Sequence, residues 1–126
     1  MKLFLSIFVF LLGINLYGND FSDISVDALE KAIQAKKVSI IDVNGPKSFK
    51  NGRIPGAIDF SKSQKNLKEL LPEDKTTMVV AYCGGPACRA YLRGAKAAAD
   101  LGYTNVRHLS AGISGWKKAG KKIEKN

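Results

Sequence analysis

The stretch YCGGPACR, residues 82–89, carries the residue types in this chain that are best suited to covalent chemistry. It contains both cysteines of the sequence, Cys83 and Cys88, with two glycines, a proline and an alanine between them, and Arg89 follows directly. A thiolate is a strong nucleophile, and glycines allow backbone N–H groups to turn inward around an anion. The loop therefore suits attack by Cys83 on an electrophilic atom of a small anion, followed by storage of the transferred group.

Two plainer interpretations of this loop stay open on the residues alone. Glycine-rich turns between a strand and a helix are common, and a cysteine is often only a small buried apolar residue. Two cysteines in an exported protein also usually form a structural disulfide. The composition of the loop indicates a nucleophile without excluding either alternative.

A strand and a helix must position this loop. TTMVVAY, 76–82, is rich in β-branched and apolar residues, as is VSIIDV, 38–43, so both are predicted to be buried strands. Residues 91–101 predict a helix that faces inward with Leu92 and small alanines and ends at Gly102. The loop thus connects the carboxyl end of a strand to the amino end of a helix, where open α/β sheets bind ligands and where a helix terminus favours an anion.

The remaining elements alternate in the same way. Ser25 is a suitable cap for a helix with apolar Val26, Leu29 and Ile33 on one side. Further along, we expect a short strand at 57–60, a helix at 64–71 ended by Pro72, a strand within 104–109 and a helical turn or two at 114–119. Alternating strands and helices predict an α/β fold with a small, mostly parallel central sheet and helices on both faces.

The first residues have the pattern of an export signal. Met1-Lys2 precedes LFLSIFVFLL, in which only Ser6 is polar, and a polar stretch follows. This pattern is typical of a secretory signal peptide, so we expect residues 1–18 to be removed near Gly18. Residues 19–126 would then be a single domain in the periplasm or outside the cell. The apolar segment is shorter than the roughly 20 residues that span a bilayer, which favours cleavage over an uncleaved anchor.

The charge of the chain favours anionic partners. The sequence has 20 Lys and Arg against 11 Asp and Glu, and removal of 1–18 would take away only Lys2, leaving 19 basic residues and a net charge of +8. The lysines are scattered and are not interleaved with aromatic residues, so nucleic acid is not a predicted partner. With one histidine and two cysteines there is no metal-ligand pattern, and we expect neither a metal nor an organic cofactor.

Two longer segments resemble the rhodanese superfamily of sulfurtransferases. IDVNGPKSFKNGRIPGAIDF, 41–60, is similar to the family's Asp-Val-Arg, Phe and Gly-His-Ile-Pro-Gly-Ala pattern. VVAYCGGPACRAYLRGAKAAADLGYTNVRHLSAGISGW, 79–116, is similar to its strand, cysteine loop, helix, Gly-Tyr-x-Asn-Val and terminal Gly-x-x-x-Trp. The likeness extends from about Ile24 to Gly120 and keeps the order of these motifs.

The resemblance implies that Cys83 carries sulfur. Its thiolate would attack a sulfane sulfur donor such as thiosulfate or polysulfide, form a persulfide, and pass the outer sulfur to cyanide, sulfite or a thiol. Asp42 would support the neighbouring loops. The anion would be bound, through backbone N–H groups and the arginine, by the loop after the nucleophile: Gly84, Gly85, Pro86, Ala87, Cys88 and Arg89.

The sequence also departs from that family at several positions. Asn44 stands where Arg is usual, Arg53 stands where His is usual, and Ala111 replaces the first of two glycines. The loop is about two residues longer than in the simplest sulfurtransferases. Its Cys-x5-Arg spacing is similar to that of dual-specificity phosphatases and arsenate reductases of the same fold, although Tyr82 replaces their usual His. An enzyme of that kind, or a non-catalytic rhodanese-like binding module, therefore remains an alternative.

The second cysteine adds a further hypothesis. Cys88 follows Cys83 by five residues in a loop that we expect to fold back on itself, which would bring the two within reach of a disulfide. Cys88 could then act as a resolving thiol, which attacks a Cys83 persulfide, releases hydrosulfide and leaves a disulfide. It could equally line the loop passively, or its oxidation could simply inactivate the protein. The single histidine, His108, and the single tryptophan, Trp116, are predicted to have structural roles.

Overall fold

A computed structural model describes residues 21–126. The predicted signal peptide, residues 1–18, lies outside these residues, so its cleavage stays a prediction, as does the domain boundary that depends on it. No helix between residues 21 and 126 is long and apolar enough to cross a bilayer.

The described chain is a five-stranded sheet with helices packed against it. The elements in chain order are β1 Ser22–Asp23, α1 Val26–Gln34, β2 Val38–Asp42, α2 Pro46–Asn51, β3 Ile58–Asp59, α3 Phe60–Ser63, α4 Leu67–Leu70, β4 Met78–Tyr82, α5 Tyr91–Asp100, β5 Val106–Leu109 and α6 Gly112–Lys118. The strand order is β1-β5-β4-β2-β3, and every pair is parallel. Because all strands run the same way, their carboxyl ends lie along one edge, with β4 at the centre.

Local sequence explains the main helices. Ser25 caps α1 by accepting a hydrogen bond from the Ala28 N–H at 3.1 Å, as predicted. After α5, Gly102 adopts a left-handed φ of +98°, which glycine allows at little cost. The α5 residues Gly94, Ala95 and Ala98 are buried, so this helix approaches the sheet closely, whereas Leu92 is only half-buried.

The sheet separates two apolar cores. On the face covered by α3, α4 and α5, the buried residues include Ile41, Val43, Phe60, Leu67, Val79, Ala81, Cys83, Ala95, Ala98 and Tyr103. On the face covered by α1 and α6 they include Ile24, Leu29, Ile40, Ile54, Val80, Tyr82, Leu109, Ile113 and Trp116. Helices on both faces confirm the predicted α/β fold, and the sheet is wholly parallel within the described residues.

The structure corrects three details of the sequence interpretation. The helix expected at 64–71 is shorter, α4 at Leu67–Leu70, and a separate helix, α3, precedes it from Phe60, where the Asp59 side chain accepts a hydrogen bond from the Ser61 N–H. Helix α2, which starts at Pro46, was not predicted. The two-residue strand β1 was also not predicted, because it is too short to leave a periodic pattern.

Candidate functional site: the loop between β4 and α5

The loop of residues 83–90 leaves the central strand at the carboxyl edge of the sheet. Cys83 is buried, with 2% of its surface exposed, whereas Pro86, Ala87 and Arg89 are exposed at the far side of the loop. Cys88 is half-buried, and its N–H donates to the Gly85 carbonyl at 3.0 Å, which folds the loop back on itself. The two cysteines form a disulfide, with 6.2 Å between their Cα atoms. The predicted nucleophile and the second thiol are thus brought together.

The amino end of α6 fixes the first half of the loop. The Ile113 N–H donates to the Cys83 carbonyl at 2.9 Å, and the Ser114 N–H donates to the Gly84 carbonyl at 3.0 Å. In a planar trans peptide the N–H points away from the C=O of the same unit. Helix α6 therefore turns the N–H groups of Gly84 and Gly85 to the side of the loop opposite itself.

This arrangement depends on Gly112, a residue that sequence reasoning did not assign to the site. Gly112 has a left-handed φ of +61°, and a Cβ there would lie 2.5 Å from the Gly85 nitrogen and 2.7 Å from the Cys83 carbonyl oxygen. No side chain fits this contact. Ala111, the departure from the family's double glycine, has an ordinary helical φ of −58°, so a side chain is tolerated there. The Gly-x-x-x-Trp pattern was the signal that could have identified Gly112.

The set of backbone donors is smaller than predicted. Pro86 has no N–H, and the Cys88 N–H is used within the loop, so neither can bind an anion through its backbone. Within residues 21–126, the N–H groups of Gly84, Gly85, Ala87 and Arg89 make no hydrogen bond. Arg89 is exposed and belongs to none of the ion pairs in this part of the chain. Of the residues predicted to bind the anion, four thus keep an unbonded amide, and Arg89 also offers its guanidinium.

A buried polar network lies beside the loop, on the other face of the sheet. Asp42 is fully buried at the end of β2 and accepts a hydrogen bond from the Asn44 N–H at 2.8 Å. Its second carboxylate oxygen accepts from the Tyr82 hydroxyl at 2.5 Å, and that hydroxyl accepts from the Ile54 N–H at 3.1 Å. The network ties the carboxyl ends of β2 and β4 to the turn that precedes β3.

Burial sets the protonation of this network. It raises the pKa of Asp42, although the hydrogen bonds from Tyr82 and Asn44 oppose the change. Burial, together with the neighbouring Asp42 carboxylate, also raises the pKa of Tyr82 far above its ordinary value. The Tyr82 hydroxyl therefore keeps its proton and acts as donor to Asp42.

Two residues that differ from the family pattern, Arg53 and Asn44, make contacts near the loop and the turn before β3. The Arg53 guanidinium donates to the Phe49 carbonyl at 3.0 Å and to the Asn126 side chain at 2.8 Å, and it lies 3.6 Å from Glu124. It therefore holds the last residues of the chain against the turn before β3. Asn44 faces the cysteine loop, with its Oδ1 3.9 Å from the position of a Cβ on Gly84.

His108 and Trp116 both have partners elsewhere in the described chain. The His108 ring stacks on Tyr91 with 4.3 Å between ring centres, and its Nε2 is 3.7 Å from Asp23. Trp116 is buried, and its indole N–H donates to the Lys122 carbonyl at 2.8 Å. Among the described residues there is no group of three or more His, Cys, Asp or Glu that could hold a metal ion.

The fold and the cysteine loop define a known class of domain. A family model described as "Rhodanese-like domain" matches residues 25–119, so the chain belongs to the rhodanese-like family. It is similar to a thiosulfate sulfurtransferase, GlpE, from Shewanella oneidensis, with 32% identity over 104 residues that cover 80% of this chain and 97% of that protein.

Solved structures share this fold. The thiosulfate sulfurtransferase of Pseudomonas aeruginosa superposes with a TM-score of 0.68 and 23% identity, covering 83% of this chain and 20% of that one. The BH2092 protein of Bacillus halodurans gives a TM-score of 0.59 and 26% identity, covering 82% and 77% of the two chains. The predicted family and fold are confirmed, and the GlpE relative supports the prediction of a sulfurtransferase.

Proposed function

We propose that this protein transfers sulfane sulfur from a small anionic donor, thiosulfate or polysulfide, to a thiol or cyanide through a persulfide on Cys83. The observation that carries the proposal is the position of Cys83. It ends the central strand, and the two amides that follow it are turned to one side by α6. These amides, with those of Ala87 and Arg89, suit the negative charge of a donor or of a bound persulfide.

The reaction needs no group beyond the loop. The Cys83 thiolate attacks the outer sulfur of thiosulfate, the S–S bond of the donor breaks, and sulfite leaves with the electron pair. An acceptor nucleophile then attacks the outer sulfur of the persulfide and restores the thiolate. Because the disulfide occupies the Cys83 sulfur, this reaction begins from the reduced loop.

The proposal is tested by intact mass. Reduced Cys88→Ser, which keeps the nucleophile and cannot form the disulfide, is mixed with thiosulfate or with polysulfide, and Cys83→Ser serves as its matched control. We expect Cys88→Ser to gain one sulfur atom that a reductant removes, and Cys83→Ser to gain none. Failure of Cys88→Ser to take up sulfur from either donor would refute the proposal.

The Cys-x5-Arg spacing supplies a second candidate function, hydrolysis or reduction of a tetrahedral oxyanion. The exposed Arg89, which is free of ion pairs within the described chain, favours it. Phosphatase activity toward an aryl phosphate is measured on the same two variants. Hydrolysis that depends on Cys83, with no sulfur uptake, would favour this candidate over sulfur transfer.

Export is the remaining part of the proposal, and it rests on the apolar segment after Lys2. We expect the protein recovered from the periplasm or the medium to begin just after Gly18. Amino-terminal sequencing of the protein from each cell fraction measures this, and an intact segment on membrane-bound protein would indicate an anchor instead.

A further inference from the structure

The cysteine loop brings together the sulfur atoms of Cys83 and Cys88, although the proposed sulfur transfer needs only that of Cys83. Cys83 is buried directly after β4. The hydrogen bond from the Cys88 N–H to the Gly85 carbonyl folds the loop back, so that the sulfur of half-buried Cys88 bonds to the sulfur of Cys83. The Cys83 backbone is held separately by α6. The loop thus brings a second thiol directly onto the sulfur that would carry the persulfide.

We propose that Cys88 gives the protein a second activity, the reduction of sulfane sulfur to hydrosulfide, at the expense of a dithiol reductant. This inference rests on the proposed function, since it starts from the Cys83 persulfide. In the disulfide, the Cys83 sulfur is bonded to the Cys88 sulfur. In the persulfide, the Cys83 sulfur would be bonded to the outer sulfur instead. The two groups exclude each other, so formation of the disulfide expels the stored sulfur.

The step balances without any further oxidant. The Cys88 sulfur attacks the Cys83 sulfur of the persulfide, a Cys83–Cys88 bond forms, and the bond to the outer sulfur breaks. The outer sulfur leaves with the electron pair, takes the proton of the Cys88 thiol and departs as hydrosulfide. The outer sulfur is reduced by two electrons, and the two cysteines together are oxidised by two.

The exposed side of the loop shows how the cycle closes. Cys88 is the less buried cysteine, and its neighbours Ala87 and Arg89 are exposed. An external dithiol can therefore attack the Cys88 sulfur, and Cys83 leaves as the thiolate beside the unbonded amides of Gly84 and Gly85. The second thiol of the reductant then releases Cys88. A dithiol, rather than cyanide or a single thiol, is thus the expected reductant.

The test uses the whole chain, reduced and freed of reductant, with thiosulfate as donor because its first product is sulfite and not sulfide. Sulfite, hydrosulfide and intact mass are measured together for wild type, Cys88→Ser and Ala35→Ser. Ala35→Ser is the control, because it introduces the same serine at an exposed position at the end of α1, outside the cysteine loop, and keeps both cysteines.

We expect wild type and Ala35→Ser to release sulfite and hydrosulfide in equal amounts, to lose two hydrogens and to retain no sulfur. Cys88→Ser should release sulfite alone and keep one sulfur on Cys83. If wild type keeps the sulfur without releasing hydrosulfide while Cys88→Ser also loads, the second activity is overturned and sulfur transfer stands. Sulfur found on Cys88 overturns it as well. If Cys88→Ser loads from no donor, the proposed function fails and this inference fails with it.

Discussion

Tyr82, the last residue of β4, and Cys83, which follows it, pack on opposite faces of the sheet, and their polar groups differ in whether they have hydrogen-bond partners. The Tyr82 hydroxyl is buried, and both of its hydrogen bonds are made, to Asp42 and from Ile54. The amides that follow Cys83 are left without partners in the described chain. The polar groups around Tyr82 are hydrogen-bonded to one another and fix the end of the strand, whereas the amides after Cys83 are free to bind an anion.

The same contrast divides the cysteine loop itself. Its carbonyls at Cys83 and Gly84 are bound by α6, while the N–H groups of the same peptide planes are left open. Binding one side of a peptide thus orients the other side. Preorganised donors of this kind stabilise charge without having to reorient during the reaction.

Gly112→Ala should have the largest effect on this contrast, because it breaks the contact between α6 and the loop. We expect a loss of roughly 3–5 kcal/mol in the free energy of unfolding, from the left-handed backbone and from a Cβ placed 2.5 Å from the Gly85 nitrogen. Sulfur loading should fall with it. Denaturant unfolding and loading rates are the measurements.

Gly120→Ala is the matched control for that variant. Gly120 also has a left-handed φ, +72°, but a Cβ there would meet nothing within 4 Å. It should cost only about 1–2 kcal/mol, the price of the backbone conformation, and should leave loading unchanged. Equal losses in the two variants would mean that contact between α6 and the loop contributes nothing.

Reduction of the disulfide should have the next largest effect on stability. The bond closes a short loop, and loop-closure entropy predicts that the oxidised protein is more stable by about 2 kcal/mol. Urea unfolding with and without a reductant measures the difference. Cys88→Ser, which lacks the bond under both conditions, should show no difference, and a difference there would assign the effect to the reductant rather than to the disulfide.

Tyr82→Phe tests the buried hydrogen-bond network of Tyr82, Asp42 and Ile54. It leaves the Ile54 N–H without its acceptor and removes one donor from the buried Asp42, which should cost about 1–3 kcal/mol in the free energy of unfolding. The rate of sulfur loading on folded protein should stay near wild type, because the loop amides are oriented by α6. A loading defect as large as that of Gly112→Ala would show that the network and the loop act as one unit.

Asp42→Asn should have the smallest effect, a change in how the free energy of unfolding depends on pH. Because burial raises the pKa of Asp42 above its ordinary 3.8, the folded protein binds this proton more tightly than the unfolded chain. The stability contributed by Asp42 is therefore complete below 3.8 and is lost as the pH rises through the folded pKa. The difference in unfolding free energy, wild type minus Asp42→Asn, should fall over that range. The lowered pKa values of exposed Asp27 and Asp74 act equally in both proteins and cancel.

Much of the scaffold could be predicted from the sequence, because its signals are local. Each of these signals depends only on residues close by in the sequence: the helix ends at Ser25 and Gly102, and the β-branched runs that lead to Asp42 and to Cys83. The apolar run 76–82 placed Cys83 directly after a buried strand, and the structure agrees. Its catalytic role stays a prediction.

The missing part of the site is a long-range contact. The chain from Gly85 to Gly112 passes through α5 and β5 before the two backbones touch. No local pattern shows that α6 donates its amides to the loop. For the same reason the Tyr82 hydroxyl bond to Asp42, between residues that are neighbours only in the sheet, was not predicted.

The strand order has a consequence for synthesis. Ser22 and Asp23, near the start of the described chain, pair with Arg107 and His108, and the amides that orient the cysteine loop belong to Ile113 and Ser114. A ribosome must therefore deliver nearly the whole described chain before either contact can close. Until then the nascent polypeptide carries both thiols without the helix that orients their loop, so the proposed anion site forms only after α6 has been synthesised.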